Sequence, residues 1–194
     1  MTVSRSKLTP ANSAEPPARD PISESGPSRK KMRLFVGIGS PHGDDQAGWT
    51  IAEGLLQNVD SFRDIIVRRA SVPLDLIDWL DGIDCLHVCD ACQGDAPPGT
   101  LHRWEYKAAT PAASDRQCEP LGRESFASLR STGSHDFGLI AVLELADRLG
   151  RLPSQVVVWC IEGRRFEIGQ TLSPEIVRIL PEVKGVVAFA LSQA

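Results

Sequence analysis

The chain has 194 residues, of which 42% are hydrophobic and 24% charged, with a formal net charge of -4. That length and composition suit one globular domain; the acidic balance excludes a general nucleic-acid binder, which would be basic, and no apolar run reaches the roughly 18 residues a membrane span requires. The five cysteines are an odd number in a chain large enough to fold without disulfide staples, which points to reduced thiols and a cytoplasmic setting.

Residues 1–31 hold five of the fourteen prolines (Pro10, Pro16, Pro17, Pro21 and Pro27), several serines and almost no large apolar residue. Such a segment cannot bury enough surface to offset its ordering entropy and is expected to be a disordered tail. Arg29-Lys30-Lys31 leads into apolar residues, but that stretch is too short before Gly39, Pro41 and two aspartates to serve as a signal peptide. Residues 32–194 are then one domain. Met32 stands at its start, so translation from Met32 is an expectation that the mass of the native N-terminus decides.

Leu34 to Ile38 is an apolar run long enough for a buried strand, and Gly37, Gly39, Pro41 and Gly43 mark a tight turn after it. A helix is expected from about Asp44 to Gln57, with Ala47, Ile51, Ala52, Leu55 and Leu56 as its apolar stripe. Ile65-Ile66-Val67 reads as a short strand. Pro73 suits the first turn of a helix carrying Leu74, Ile77 and Leu80 and ended by Gly82. Cys85 to Cys89 is a third strand, ending at Asp90 and a loop rich in Gly and Pro. Leu101 to Tyr106 is a further strand, antiparallel at an edge. Residues 107–131 are polar and without periodicity. Leu139, Val142, Leu143, Ala146 and Leu149 give a helix stopped by Gly150 and Pro153. Val156 to Ile161 is a β-branched strand, and the connection from Gly163 to Gly169 exposes Arg164, Arg165 and Glu167. Ser173-Pro174-Glu175 opens a last helix, which Pro181 is expected to break or kink after Leu180. This alternation implies an α/β fold, a mostly parallel sheet with helices on both faces.

In such sheets ligands lie outside the carboxyl ends of the strands. Asp45 follows the first strand, Asp90 follows the third, and His135 stands in the loop before a helix, so all three can meet on one rim. Strand–Gly-x-Gly–helix usually signals a nucleotide, but the third glycine is missing and Asp44 and Asp45 would repel a pyrophosphate. Taken singly, Asp44 and Asp45 also suit a helix cap and first-turn charge, and His135 a cap. Together, two carboxylates and an imidazole suit a borderline divalent metal such as nickel, zinc or manganese. The chain has neither a His-Glu-x-x-His helix nor a Gly-x-Ser-x-Gly nucleophile. Cys89-x-x-Cys92 lacks a second pair at zinc spacing, and Cys85 and Cys89 fall on one strand face, which favours packing over metal or redox chemistry.

Four motifs in order resemble the hydrogenase maturation endopeptidases, the processing proteases of nickel–iron hydrogenase large subunits. They are Gly37-x-Gly39 through Asp44-Asp45; Asp90-Ala91 with Pro98-Gly99-Thr100; Ser134-His135-x-x-Gly138-Leu139; and Leu172-Ser173-Pro174-Glu175. The resemblance spans most of residues 32–191. It implies a three-layer α/β sandwich, a twisted mostly parallel sheet flanked by helices, phosphorylase/hydrolase-like. It also implies an endopeptidase that removes the C-terminal extension of a precursor already loaded with nickel, so that the nickel arrives with the substrate. The family's metal-contacting residues fall on Asp45, Asp90 and His135. Ser40 stands where the family has Asn, Gln46 where Gly is frequent, and the turn before Asp44 is one residue short. His42 occupies a usually apolar position there and is a candidate fourth ligand. The alternative on the same fold is a docking or chaperone factor that recognises the metal without cleaving.

Overall fold

The computed structural model describes residues 30–57, 64–107 and 138–193. The proposed tail up to residue 29, most of the 107–131 segment, Cys118 and the motif containing His135 lie outside the described residues.

Five strands, β1 (Arg33–Ile38), β2 (Ile65–Ala70), β3 (Cys85–Cys92), β4 (Leu101–Lys107) and β5 (Gln155–Glu162), form one sheet in the order β2-β1-β3-β5-β4. All pairings are parallel except β4 with β5, which puts the antiparallel strand at the edge, as expected. Helices α1 (Ala47–Leu56), α2 (Leu139–Arg148) and α3 (Pro174–Gln193) complete the sandwich. Alternation along the strands sorts their side chains between two cores. On one face Phe35, Val157, Trp159 and Ile161 pack with Ile51 and Leu55 of α1 and with Ile176, Val183 and Val187 of α3. On the other, Leu34, Val36, Leu86, Val88 and Val158 pack with Leu139, Val142, Leu143 and Ala146 of α2. This is the three-layer α/β sandwich that the alternating pattern implies. Leu56 and Leu149, assigned to apolar stripes by spacing, are exposed at their helix ends.

Three local expectations are corrected. The segment after Pro73 is a 3-10 helix, Pro73–Trp79, whose buried residues Pro73 and Leu76 are three apart, while Leu74 is exposed. Pro181 lies inside α3 without ending it. The proline forfeits one backbone bond, but Ile176 before it and Val183, Val187 and Leu191 after it are buried in one core, and that packing keeps the segment helical across it. The first helix opens as a 3-10 turn, Gly43–Gln46, before α1 begins.

The glycines of the first motif act in packing. A Cβ at Gly37 would overlap the Gly48 carbonyl oxygen, and one at Gly48 would overlap the carbonyl oxygens of Ile38 and Cys89. The backbone of α1 therefore rests directly on the ends of β1 and β3. The neighbouring Asp44 is completely buried, at 0% exposure. It does not cap its own helix. Its Oδ2 accepts the N–H groups of Arg164 (2.7 Å) and Arg165 (3.0 Å), and its Oδ1 accepts that of Ser173 (2.6 Å). The backbone closes the same clasp, Asp44 N–H donating to Arg165 O (2.6 Å) and Gly43 N–H to Gln170 O (2.8 Å). One carboxylate thus ties the turn after β1 to the connection between β5 and α3. An amide keeps the shape but presents an NH2 to a backbone N–H and loses the charge. Asp44→Asn is expected to destabilise the fold by ~2–4 kcal/mol, seen as a lower urea midpoint, whereas an unchanged midpoint would mean that the clasp is dispensable.

Candidate active site at the carboxyl ends of β1 and β3

The strand order places β1 and β3 side by side, with the chain leaving β1 toward β2 on one side and β3 lying on the other. That is a topological switch point, the crevice where open α/β sheets bind ligands. The register shows how it opens. β1 pairs with β3 only as far as Gly37 opposite Cys89. β3 runs on through Asp90, Ala91 and Cys92, paired on its other side with Cys160, Ile161 and Glu162. Asp90 is therefore inside β3 rather than in the loop that the composition suggests, at the first position where the β1 side of the strand is vacated. Asp45, on the 3-10 turn that follows β1, is half-buried beside it.

The Asp45 charge acts on Asp90. The Asp90 carboxyl is raised to about 7, first by burial and then by the Asp45 charge, with the Ala91 N–H partly opposing both. That N–H donates to Asp90 Oδ1 (2.9 Å), which leaves Oδ2 for a proton or a cation. A buried carboxyl whose ionisation is opposed by a neighbouring carboxylate, with no cationic side chain of the described residues among the charges acting on it, fits an incoming cation. Among the described residues no three His, Cys, Asp or Glu side chains form a metal-holding group, so the described part of the site is a carboxylate pair. His135, the third member of the expected set, lies outside the described residues, three positions before the extended backbone at Gly138 that leads into α2. His42 is turned toward the β5–α3 connection, where its Nδ1 accepts the Gly169 N–H (3.3 Å). Its observed contact is with that connection.

Sequence reasoning passed over a second acidic group on this rim. Glu162, at the end of β5, is buried. It accepts the Gly94 N–H (2.8 Å) at Oε2 and meets His102 Nε2 (3.1 Å) at Oε1. It holds the loop after β3, much as Asp44 holds the loop after β5. The signal was available, since a carboxylate directly ending an apolar strand is the same pattern that singled out Asp90. The thiols behave as core residues. Cys85, Cys89, Cys92 and Cys160 are buried and form no disulfide; burial pushes Cys85 up to about 11 and Cys89 upward, and the hydrogen bond with Cys92 followed by burial pushes Cys160 upward, so these three do not supply a ready thiolate.

No protein-family model matches the chain, and no curated protein matches it in sequence. Solved structures do match. The hydrogenase maturating endopeptidase HybD from Escherichia coli superposes with a TM-score of 0.60 at 19% identity, over 84% of this chain and 93% of that one. The hydrogenase 2 maturation peptidase from a Thaumarchaeota archaeon gives 0.56 at 22% identity, over 83% and 98%. The nickel–iron hydrogenase maturation protease HybD from Thermococcus kodakarensis gives 0.60 at 18% identity, over 82% and 99%. The chain has the fold of the hydrogenase maturation endopeptidases. Its first and second sequence motifs occupy the two sides of the switch-point crevice in that fold.

The raised Asp90 carboxyl has a consequence for stability. Between its ordinary value near 3.8 and about 7, the folded protein retains a proton that the unfolded chain has released. Stability therefore falls as pH rises through that window. Asp90→Asn removes the loss. Chemical denaturation should find the variant more stable than the parent at pH 8, by on the order of 2–4 kcal/mol, with the gap closing toward pH 4. A gap that is independent of pH would contradict the assignment.

Proposed function

We propose that this chain is an endopeptidase that removes the C-terminal extension of a nickel-loaded nickel–iron hydrogenase large-subunit precursor. The observation that carries the proposal is the Asp45–Asp90 pair at the β1/β3 crevice of this particular fold. Among the described residues the pair has no cationic partner, and a substrate that brings nickel supplies one. Asp45, Asp90 and, by the motif resemblance, His135 would be the groups that meet it. A bound nickel polarises a carbonyl or a water next to it. The chain's own part is to present two carboxylates in fixed positions and to handle one proton. With a carboxyl near 7, Asp90 is poised at neutral pH to take a proton from an attacking water, and Oδ2 is the oxygen not engaged by the Ala91 N–H. Arrival of a cation displaces the Asp90 proton, so that the Asp90 carboxylate is free to meet it.

The connection between β5 and α3 suits the polypeptide part of the substrate. Held from below by Asp44, it exposes Arg164, Arg165, Glu167 and Ile168 beside the crevice. A cytoplasmic location belongs to the same proposal, supported by four buried thiols that form no disulfide.

The test mixes the protein with nickel-loaded and with nickel-free precursor and reads the precursor's C-terminal mass. Trimming is expected only with nickel, and Asp45→Asn and Asp90→Asn are each expected to lower kcat/KM by at least ~100-fold. Nickel-dependent binding with no loss of mass would instead support a docking factor, and equal trimming of both precursors would remove the metal from the proposal.

A further inference from the structure

The sheet register places a histidine on the face that carries Asp90. Asp90 is opposite Cys160 on β5, and Cys160 is opposite His102 on the edge strand β4. Residues opposite one another share a face, so Asp90, Cys160 and His102 form one row across the carboxyl end of the sheet. Two strand spacings set the Asp90 and His102 backbones about 10 Å apart, and the residue between them is a short, buried cysteine. We propose that His102 is the general acid of peptide-bond cleavage, the group that gives a proton to the leaving amine. This role rests on the endopeptidase reading of the Asp45–Asp90 crevice.

The ring is held so that one nitrogen is left to exchange a proton. His102 Nε2 meets Glu162 Oε1 (3.1 Å), and a carboxylate only accepts, so this bond keeps a proton on Nε2. Glu162 is fixed in turn, because its Oε2 accepts the Gly94 N–H (2.8 Å) and its side chain is 5% exposed. Trp104, two residues on and on the same face, stacks on the imidazole with centroids 5.5 Å apart and planes 23° from parallel. That leaves Nδ1, which has no partner among the described residues, as the nitrogen that gains and loses a proton. The His102 side chain is 31% exposed, open to a substrate while its carboxylate partner is not. A histidine oriented through one nitrogen by a carboxylate is a recurrent way of holding an acid–base group in place.

Hydrolysis needs two proton movements, and the row supplies a group for each. A water oxygen bonds to the scissile carbonyl carbon while Asp90 Oδ2 takes one of the water's protons. The tetrahedral carbon then releases the amine. The C–N electron pair goes to nitrogen, which takes the Nδ1 proton of the His102 imidazolium. Asp90 ends protonated and His102 neutral. A proton lost to solvent by the one and regained by the other resets both, and the net change is one water added across the bond. The separation along the row lets the two groups flank one peptide group, so the base does not have to carry its own proton to the leaving nitrogen. Glu162 touches no reacting atom and is a positioning residue.

The experiment gives the full-length protein two nickel-loaded precursors, one with the natural amide at the scissile bond and one with an ester in its place, and follows the C-terminal mass with time. An alkoxide leaves without prior protonation far more readily than an amide anion, so loss of the acid slows the amide more than the ester. The amide-to-ester ratio of kcat/KM is expected to fall at least ~30-fold in His102→Gln. It is expected to fall ~10-fold or more in Glu162→Gln, whose NH2 turns toward Nε2 and reverses the tautomer. Asp90→Asn, which loses the base, should slow both substrates and keep the ratio within about threefold. Both rates come from one preparation, so any loss of folded protein cancels in the ratio. A wild-type ratio in His102→Gln would overturn the role of His102 and leave the endopeptidase reading in place. Trimming of neither precursor by the wild-type protein would overturn that reading, and this role with it.

Discussion

The buried carboxylate of Asp44 is the constraint on which the candidate site depends. Three backbone N–H groups from residues 164, 165 and 173 converge on it, and hydrogen bonds from backbone N–H to carboxylate are among the stronger ones a protein makes. They fix the β5–α3 connection against the turn that follows β1. The turn itself is held close to the sheet because Gly37 and Gly48 let backbone touch backbone. Asp45 is the next residue. Its position is therefore set by groups on either side of it rather than by contacts of its own, which leaves its charge available to act on Asp90.

That division between two adjacent aspartates explains why the rim can hold negative charge at all. Asp44 is neutralised by donors and serves structure. Asp45 and Asp90 face a crevice where burial and the Asp45 charge both oppose ionisation of Asp90. Such a pair weakens the folded state at neutral pH, and a fold keeps it where a ligand gives the energy back. The topology supplies the place, since the pairing of β1 with β3 stops at Gly37 and Cys89 while β3 continues past it, paired with β5 alone. The same device appears at the end of β5, where Glu162 is fully engaged by Gly94 and His102 and so belongs with Asp44 rather than with the reactive pair.

Much of this was legible in the residues. The order of strands and helices, the antiparallel edge strand and the exposure of Arg164 and Arg165 follow from periodicity and turn chemistry. Asp45 and Asp90 follow from their place after apolar runs. What escaped has physical reasons. A carboxylate looks the same in sequence whether its partners are solvent or distant backbone N–H groups, so the role of Asp44 waited on residues 120 positions away. The end of β3 was misplaced because Ala91 and Cys92 stand against a Gly- and Pro-rich loop, and only pairing with β5 holds them in the strand. Pro181 was overridden by burial on both sides. His42, a candidate ligand by position, contacts Gly169, a long-range contact with no local signal.

The central claim is that Asp45 and Asp90 form one electrostatically coupled site. It is tested most directly by following the Asp90 side-chain carboxyl carbon through a pH titration by NMR, in the wild-type protein and in Asp45→Asn. The account predicts a midpoint at about 7 in the wild type that moves down when the Asp45 charge is removed. An Asp90 that titrates in the ordinary carboxylate range, or whose midpoint is the same in both proteins, would show two independent aspartates and contradict the account.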